Sequence, residues 1–299
     1  MLQPNEIVRA LGERGELSEP APGIVMLRGE TARLMNALEQ TIAALCVADS
    51  PEEWRVPAAI ALSTLGRADY FASFPQWLTL ASHLSDDESA LRQMAEHNDP
   101  SRAVVTPPKA ALNPAVCYHI YSSLTGLILD APRVITAQST CWRHEGAHHV
   151  PLARQWAFTM REIVFVGGAS DARLFLDRAR SRVVGLGHAL GLDPTVAVAT
   201  DPFFAPTARG KQLLQQLEEL KHEMLLPIGA DARIAASSLN LHGAFFGQAF
   251  DIRLATGIPA TTACVAFGLE RWLLAFLARH GLDAASWPTV DSLLEPSHA

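Results

Sequence analysis

The stretch from residue 141 to residue 168, CWRHEGAHHVPLARQWAFTMREIVFVGG, limits the possible folds more than any other part of the chain. It reads as two strands joined by a polar loop. Cys141, Arg143 and Glu145 recur at every second position, so they share one face of the first strand. Gly146, His148, His149 and Pro151 carry loop chemistry. The second strand, expected from about 157 to 166, is aromatic and β-branched and stops at Gly167 and Gly168. On it Phe158, Met160, Glu162 and Val164 face one way, and Thr159, Arg161, Ile163 and Phe165 the other.

One face of this hairpin therefore offers an arginine, two carboxylates and an aromatic ring. Phe158 and Glu162 stand about 13 Å apart at roughly 3.3 Å per strand residue. That span suits a ligand with a flat ring at one end, a cation at the other and phosphate between. An aminoacyl-adenylate has this shape. Arg143 and Glu145 also read as a solvated surface pair, which is common and weak.

The chain has 299 residues, 49% of them hydrophobic, enough for one large α/β domain or two modest ones. It holds no 18-residue apolar run, and its start, MLQPNEIVRALGERGE, is acidic and polar; a soluble, cytoplasmic protein is expected. Net charge is −7, and residues 1–110 hold 15 acids against 9 Lys and Arg, the wrong sign for gripping RNA. Cys46, Cys117, Cys141 and Cys264 are too widely spaced to suggest a secreted disulfide framework.

Residues 1–30 give weak signals. A helix over 31–47 follows from Leu34, Leu38, Ile42 and Leu45. WRVPAAIALSTL looks strand-like, and the polar stretch 84–110 belongs on the surface. Helices are expected over 171–190, bearing Arg173, Arg178, Arg180 and Arg182, and over 207–220, with Leu213, Leu214, Leu217 and Leu220 on one face. KHEMLL, ARIAASSLN and ATTACVA read as strands, and GLERWLLAFLARHG as a helix ending at Gly281.

CWRHE followed by LARQWAF resembles motif 2 of the class II aminoacyl-tRNA synthetases, and most nearly that of the seryl enzymes. The resemblance implies that Arg143 holds the α-phosphate, Glu145 reads the adenine amino group and Phe158 stacks under the ring. It puts Arg154 and Gln155 near the triphosphate and Glu162 at the substrate amine. TTACVAFGLERWLLAFL resembles motif 3, and Arg271 matches the arginine that clamps the γ-phosphate. A first-turn arginine adds positive charge where the helix dipole already favours anions; an arginine lying along an amphipathic helix is the plain alternative. The helix at 31–47, the strand after it and Pro57 resemble motif 1, the dimer-forming element.

Cys117 in NPAVCYHIY, Glu162, and Cys264 in TTACVAF stand in the order of the zinc ligands of the atypical seryl-tRNA synthetases and of their relatives, the amino acid:carrier-protein ligases. The resemblance implies one Zn²⁺ per subunit, its fourth position open to an α-amine. Buried inert cysteines are the plain alternative, and Cys141 reads as core packing. TDPFFAP and LKHEM also resemble this group, which makes Asp201 a candidate substrate contact and Lys221 a candidate phosphate contact. Ala235, Ala236, Ser237 and Ser238 match the strand along the nucleotide. They depart from the seryl pattern E-I-S-S, which leaves the ligation of the Mg²⁺ that accompanies ATP open.

The expected architecture is α/β, a class II synthetase-like antiparallel sheet flanked by helices. It forms a single catalytic domain over 1–299, with a helical portion at about 1–50 and no tRNA-binding domain. The activity the resemblance implies is ATP-dependent activation of glycine or alanine, then transfer to the phosphopantetheine thiol of a carrier protein. A homodimer is expected, with no tRNA and no membrane partner. The carrier would dock on the helix at 207–220 or on the arginine-bearing helix at 173–182. Two rivals are a tRNA-charging homologue and a non-catalytic paralogue that binds an amino acid or adenylate as a regulator.

Overall fold

The structure, a computed structural model, describes residues 1–45, 47–146 and 148–288; Cys46 and the side chain of Leu214 lie outside the described residues. Seven strands form the main sheet: β1 Glu52–Arg55, β2 Arg133–Trp142, β3 Ala157–Gly167, β4 Thr195–Val198, β5 Lys221–Pro227, β6 Arg233–Gly243 and β7 Thr261–Gly268. Their spatial order is β4-β5-β6-β7-β3-β2-β1. Neighbours run antiparallel, except that β1 lies parallel to β2 at the edge. The hairpin read from 141–168 is thus β2 and β3, at the heart of the sheet.

The period-2 pattern of β3 separates two cores. Ile163 and Phe165 point to a layer of helices: α1 Pro4–Glu13, α2 Gly29–Ala44, α4 Ala169–Ala189 and α6 Leu269–His280, with α3 Cys117–Ser123 lying elsewhere. Met160 and Val164 point the other way, to a core shared with Tyr118, Ile120 and Tyr121 of α3 and with Phe246 and Phe250. Residues Trp272 to Ala278 of α6 are all buried, the mark of a helix enclosed on every side. Leu34, Leu38 and Ile42 of α2 are buried as their spacing requires. Arg161, on the helix face of β3, is buried too. It pairs with Glu39 of α2 at 2.5 Å and Glu53 of β1 at 3.3 Å, and donates to Thr136, as a buried charge demands.

Two regions differ from the expectation. WRVPAAIALSTL is not one strand: β1 stops at Arg55, a short strand Ala59–Ala61 joins a separate sheet, and a helix starts at Leu62. Pro57 has no N–H for the ladder and restricts the residue before it, so the strand breaks there. Residues 1–30 hold α1 and a hairpin of Leu17–Ala21 with Ile24–Leu27. That hairpin turns at Gly23, whose φ is +75° and where an added Cβ would sit 2.7 Å from His149 and from Trp156. It therefore braces the loop between β2 and β3. Helix α5 Ala205–Leu217, one of the two helices expected to receive the carrier, leaves Leu213 57% exposed and Leu217 73%. The polar stretch 84–110 does lie outside, and its helix Glu88–His97 buries no residue.

Candidate active site

Sheet register sets the site. One row across the sheet pairs Glu162 with Ala266, Ala266 with Ser238 and Ser238 with Glu223; the next pairs Val164 with Cys264, Cys264 with Asn240 and Asn240 with Lys221. Paired residues point the same way. Glu162, Cys264, Asn240, Ser238, Lys221 and Glu223 therefore look into one cavity of about 600 Å³.

At one end of the cavity Arg143 leaves β2. Its Nε donates to the Pro114 carbonyl at 3.0 Å, and its guanidinium lies 5.0 Å from the Trp77 ring and 5.5 Å from the Phe158 ring. Trp77 stacks on Phe74 at 5.2 Å, and Phe74 on Phe203 at 5.0 Å. Sequence reasoning missed this aromatic stack, whose signal was FPQW followed far later by PFF. Glu145 pairs with Arg154 at 3.3 Å across the loop. Gln155 is buried and spends its amide locally: Oε1 accepts the Leu152 N–H, and Nε2 donates to the Ala157 carbonyl. Arg271, in the first turn of α6, donates to the carbonyls of Ala153 and Ala235, both at 2.9 Å, and so ties the loop to β6. Burial pulls its guanidinium below the ordinary value.

Residues 235–238 divide. All four line the cavity, but Ala236 also packs into the helix-side core, and Ser237 accepts the Trp272 indole N–H at 3.0 Å. Ser238 keeps the cavity face, where it accepts from Asn240. Glu270 is a second residue that the sequence reading passed over. Both of its carboxylate oxygens accept the Thr159 N–H, at 2.8 and 3.0 Å, which fixes the strand beside Phe158. Burial pushes this carboxyl up to about 7.

On the cavity face of β5, Lys221 donates to Asp201 at 2.6 Å and pairs with Glu223 at 3.0 Å. Asp201 is also held by Gln215 of α5, which donates to its carboxylate and accepts its backbone N–H. Burial works against both charges of the Lys221–Asp201 pair, but each partner overcomes it: Asp201 lies below its ordinary value and Lys221 above.

At the other end stand Cys117, Glu162 and Cys264. Their donor atoms lie within 4.8 Å of one another, all buried. The Cys117 backbone N–H donates to Glu162 Oε2 at 2.5 Å, and Cys264 Sγ lies 3.4 Å from Oε1. Burial pushes Glu162 up; the hydrogen bond with Cys264 and burial push Cys117 well up; Cys264 rises through burial, against its bond to Cys117. Three buried acidic donors packed together fit a divalent cation, which would let all three ionise. Two sulfurs and one oxygen suit zinc. Cys141 is buried beside Asn113 instead, and among the described residues no other group of three such donors converges.

Over 277 residues the chain is 32% identical to amino acid--[acyl-carrier-protein] ligase 2 of Bradyrhizobium diazoefficiens, spanning 90% of this chain and 81% of that protein. The chain belongs to this ligase family. Ligase 1 of the same name and organism is 31% identical over 243 residues, spanning 79% and 74%. The type-2 serine--tRNA ligase of Methanothermobacter thermautotrophicus is 25% identical over 250 residues, 78% of the ligase described here and 48% of its own length. No protein-family model matches. Among solved structures, Methanopyrus kandleri SerRS superposes with a TM-score of 0.84 at 21% identity, over 97% of this ligase and 59% of that chain. The serine-tRNA ligase of Naegleria fowleri does so with 0.72 at 12% identity, over 98% and 66%. These likenesses show the class II synthetase fold. Among the described residues no helix of the ligase is long and apolar enough to cross a membrane.

Proposed function

We propose that this ligase activates a small amino acid, glycine or alanine, as its adenylate and passes the aminoacyl group to the phosphopantetheine thiol of a carrier protein. The observation that carries the reading is the polarity of the cavity. A cation and an aromatic ring, Arg143 and Phe158, occupy one end, and a buried Cys117–Glu162–Cys264 cluster the other. Both ends are fixed by β3.

In this reading Phe158 stacks under adenine, Glu145 accepts from its amino group, and Arg143 meets the α-phosphate, with Arg154 and Arg271 toward the β- and γ-phosphates. Cys117, Glu162 and Cys264 would hold Zn²⁺, which would supply Lewis acidity for binding an α-amine. The Mg²⁺ of ATP cannot use the position of Ala235; Glu223, paired across the sheet with Ser238 on the cavity face, would hold it. The amino acid's carboxylate attacks the α-phosphorus and expels pyrophosphate, and Arg143 and Arg271 stabilise the charge that develops. The carrier's thiol then attacks the carbonyl, a C–S bond forms, and AMP leaves with the electron pair of the broken C–O bond. No protein nucleophile is needed; orientation supplies the acceleration. Lys221, held by Asp201 and Glu223, orients Asp201 toward the substrate and stands near the phosphates.

The exposed Leu213 and Leu217 of α5 are the surface we assign to the carrier. A homodimer through α2 and β1, and a cytoplasmic setting, go with this reading. The test is ATP–pyrophosphate exchange across the twenty amino acids, followed by transfer to a phosphopantetheinylated carrier and, in parallel, to total tRNA. Glycine- or alanine-dependent exchange with transfer to the carrier is expected. Serine-dependent exchange with transfer to tRNA would refute the proposal.

A further inference from the structure

Two side-chain nitrogens aim at one of the three clustered donors, and neither belongs to the cluster. Asn240 pairs directly with Cys264 across the β6–β7 register, and its Nδ2 lies 3.5 Å from Cys264 Sγ. His242 approaches the same sulfur from two residues further on, with Nε2 at 3.7 Å. It reaches this place through a bulge: the register passes from Leu241–Ala263 to Gly243–Thr262, so His242 is the extra residue of β6. A bulge re-aims the side chain it carries.

The other ring nitrogen of His242 lies between two hydroxyls. Nδ1 lies 3.3 Å from the Tyr121 hydroxyl and 3.2 Å from the Thr262 hydroxyl. A hydroxyl that donates to Nδ1 leaves the hydrogen on Nε2, facing the sulfur. The ring is wedged edge-to-face against Phe246 at 4.9 Å and Tyr121 at 6.1 Å, so it has one orientation. His242 also stands outside the set of donors that converge within 4.8 Å.

We propose that Asn240 and His242 are positioning residues for the metal, a pair of N–H donors that orient the Cys264 thiolate and leave the fourth metal position free for substrate. The proposal rests on the zinc reading of the previous section. Outer partners of this kind fix the direction of a ligand and temper its donor strength. Glu162 has its own, the Cys117 backbone N–H. Cys264 lies on β7, between β6 and β3, and the side chains of Asn240 and His242 fill that role for it.

The test measures zinc affinity by chelator competition and zinc content by elemental analysis, on the full chain, with circular dichroism to compare folding. Losing an outer partner costs about 10–100-fold in metal affinity. His242→Phe, which keeps the aromatic packing, and Asn240→Ala are each expected to lose that much. His242→Gln, whose side-chain amide puts an N–H near the place of Nε2, is expected to stay close to wild type. Unchanged affinity in His242→Phe and Asn240→Ala would overturn the proposal. So would equal losses in His242→Phe and His242→Gln with a changed cobalt(II) absorption spectrum, which would make His242 a ligand. A wild-type chain that binds no zinc would overturn the metal reading and this proposal with it.

Discussion

Replacing Glu270 by glutamine gives a stability change whose size and pH dependence both follow from the structure. The carboxyl is buried under α6, and burial raises its value from 4.5 to about 7. The folded state thus holds the proton more tightly than the unfolded state. Its contribution to stability is full below pH 4.5, declines as pH rises, and is lost above about pH 7. At about 1.36 kcal/mol per pH unit, the loss amounts to about 3 kcal/mol. The glutamine amide does not titrate, and its oxygen can still accept the Thr159 N–H. Glu270→Gln should therefore match wild type near pH 4.5 and exceed it by about 3 kcal/mol at pH 8.

An unfolding entropy of about 2.1 cal/mol/K per residue gives about 0.6 kcal/mol/K for a chain of this length, so the gain at pH 8 is a Tm higher by about 5 °C. Differential scanning calorimetry of both proteins from pH 4.5 to 8 reads it directly, because every other titrating group cancels in the difference. A Tm difference that does not change with pH would refute the reasoning. So would a variant less stable than wild type at pH 8, which would mean that the charge itself holds the Thr159 strand in place.

Three other outcomes are expected. Cys264→Ser should reduce bound zinc to near background in elemental analysis while far-ultraviolet circular dichroism stays unchanged. Phe158→Ala should raise the KM for ATP about tenfold in pyrophosphate exchange, the scale of one lost aromatic stack at about 0.5–1.5 kcal/mol beyond burial, and leave zinc content alone. Leu213→Glu with Leu217→Glu should abolish transfer to the carrier yet leave exchange intact; surviving transfer would move the docking surface elsewhere.

What the sequence made legible is what depends on short-range periodicity. Alternation along 157–166 put Phe158 and Glu162 on one face of β3 and Arg161 on the other, and the structure agrees. Strand followed by helix at 261–280 was equally plain, down to the stop at Gly281. Where alternation breaks, the sequence says less. Residues 235–238 match the strand expected along the nucleotide, yet the register of β6 passes from Ala235–Leu225 to Ser237–Met224, and Ala236 is an extra residue that no periodicity announces. That bulge sends Ala236 and Ser237 together into the helix-side core. Contacts between distant residues were out of reach for another reason. Nothing local in FPQW announces a stack with Phe203, and nothing in GLER tells that Glu270 will receive the N–H of Thr159. Helical spacing showed the apolar stripe of α5, but spacing alone does not say what covers it.

The preference for a small amino acid proposed above would follow from how the cavity is measured out. Phe158 and Glu162 sit on the same strand, and a β-strand in the middle of a sheet does not stretch, so the distance from adenine to amine is set by about four strand residues. A larger substrate cannot gain room along that axis. Its side chain would have to leave sideways at the metal end, where the cavity is walled by Tyr118, Phe246 and His242. These are bulky rings, Tyr118 and Phe246 edge-to-face at 5.9 Å and Phe246 stacked on Tyr121 at 4.3 Å. Close-packed rings yield little space, since a core moves at a cost of about 1–3 kcal/mol for each inserted group. Truncating Phe246 to alanine should then admit a longer side chain. Exchange driven by serine or valine should rise relative to glycine, and a profile that stays confined to glycine and alanine would show that the walls do not set the limit.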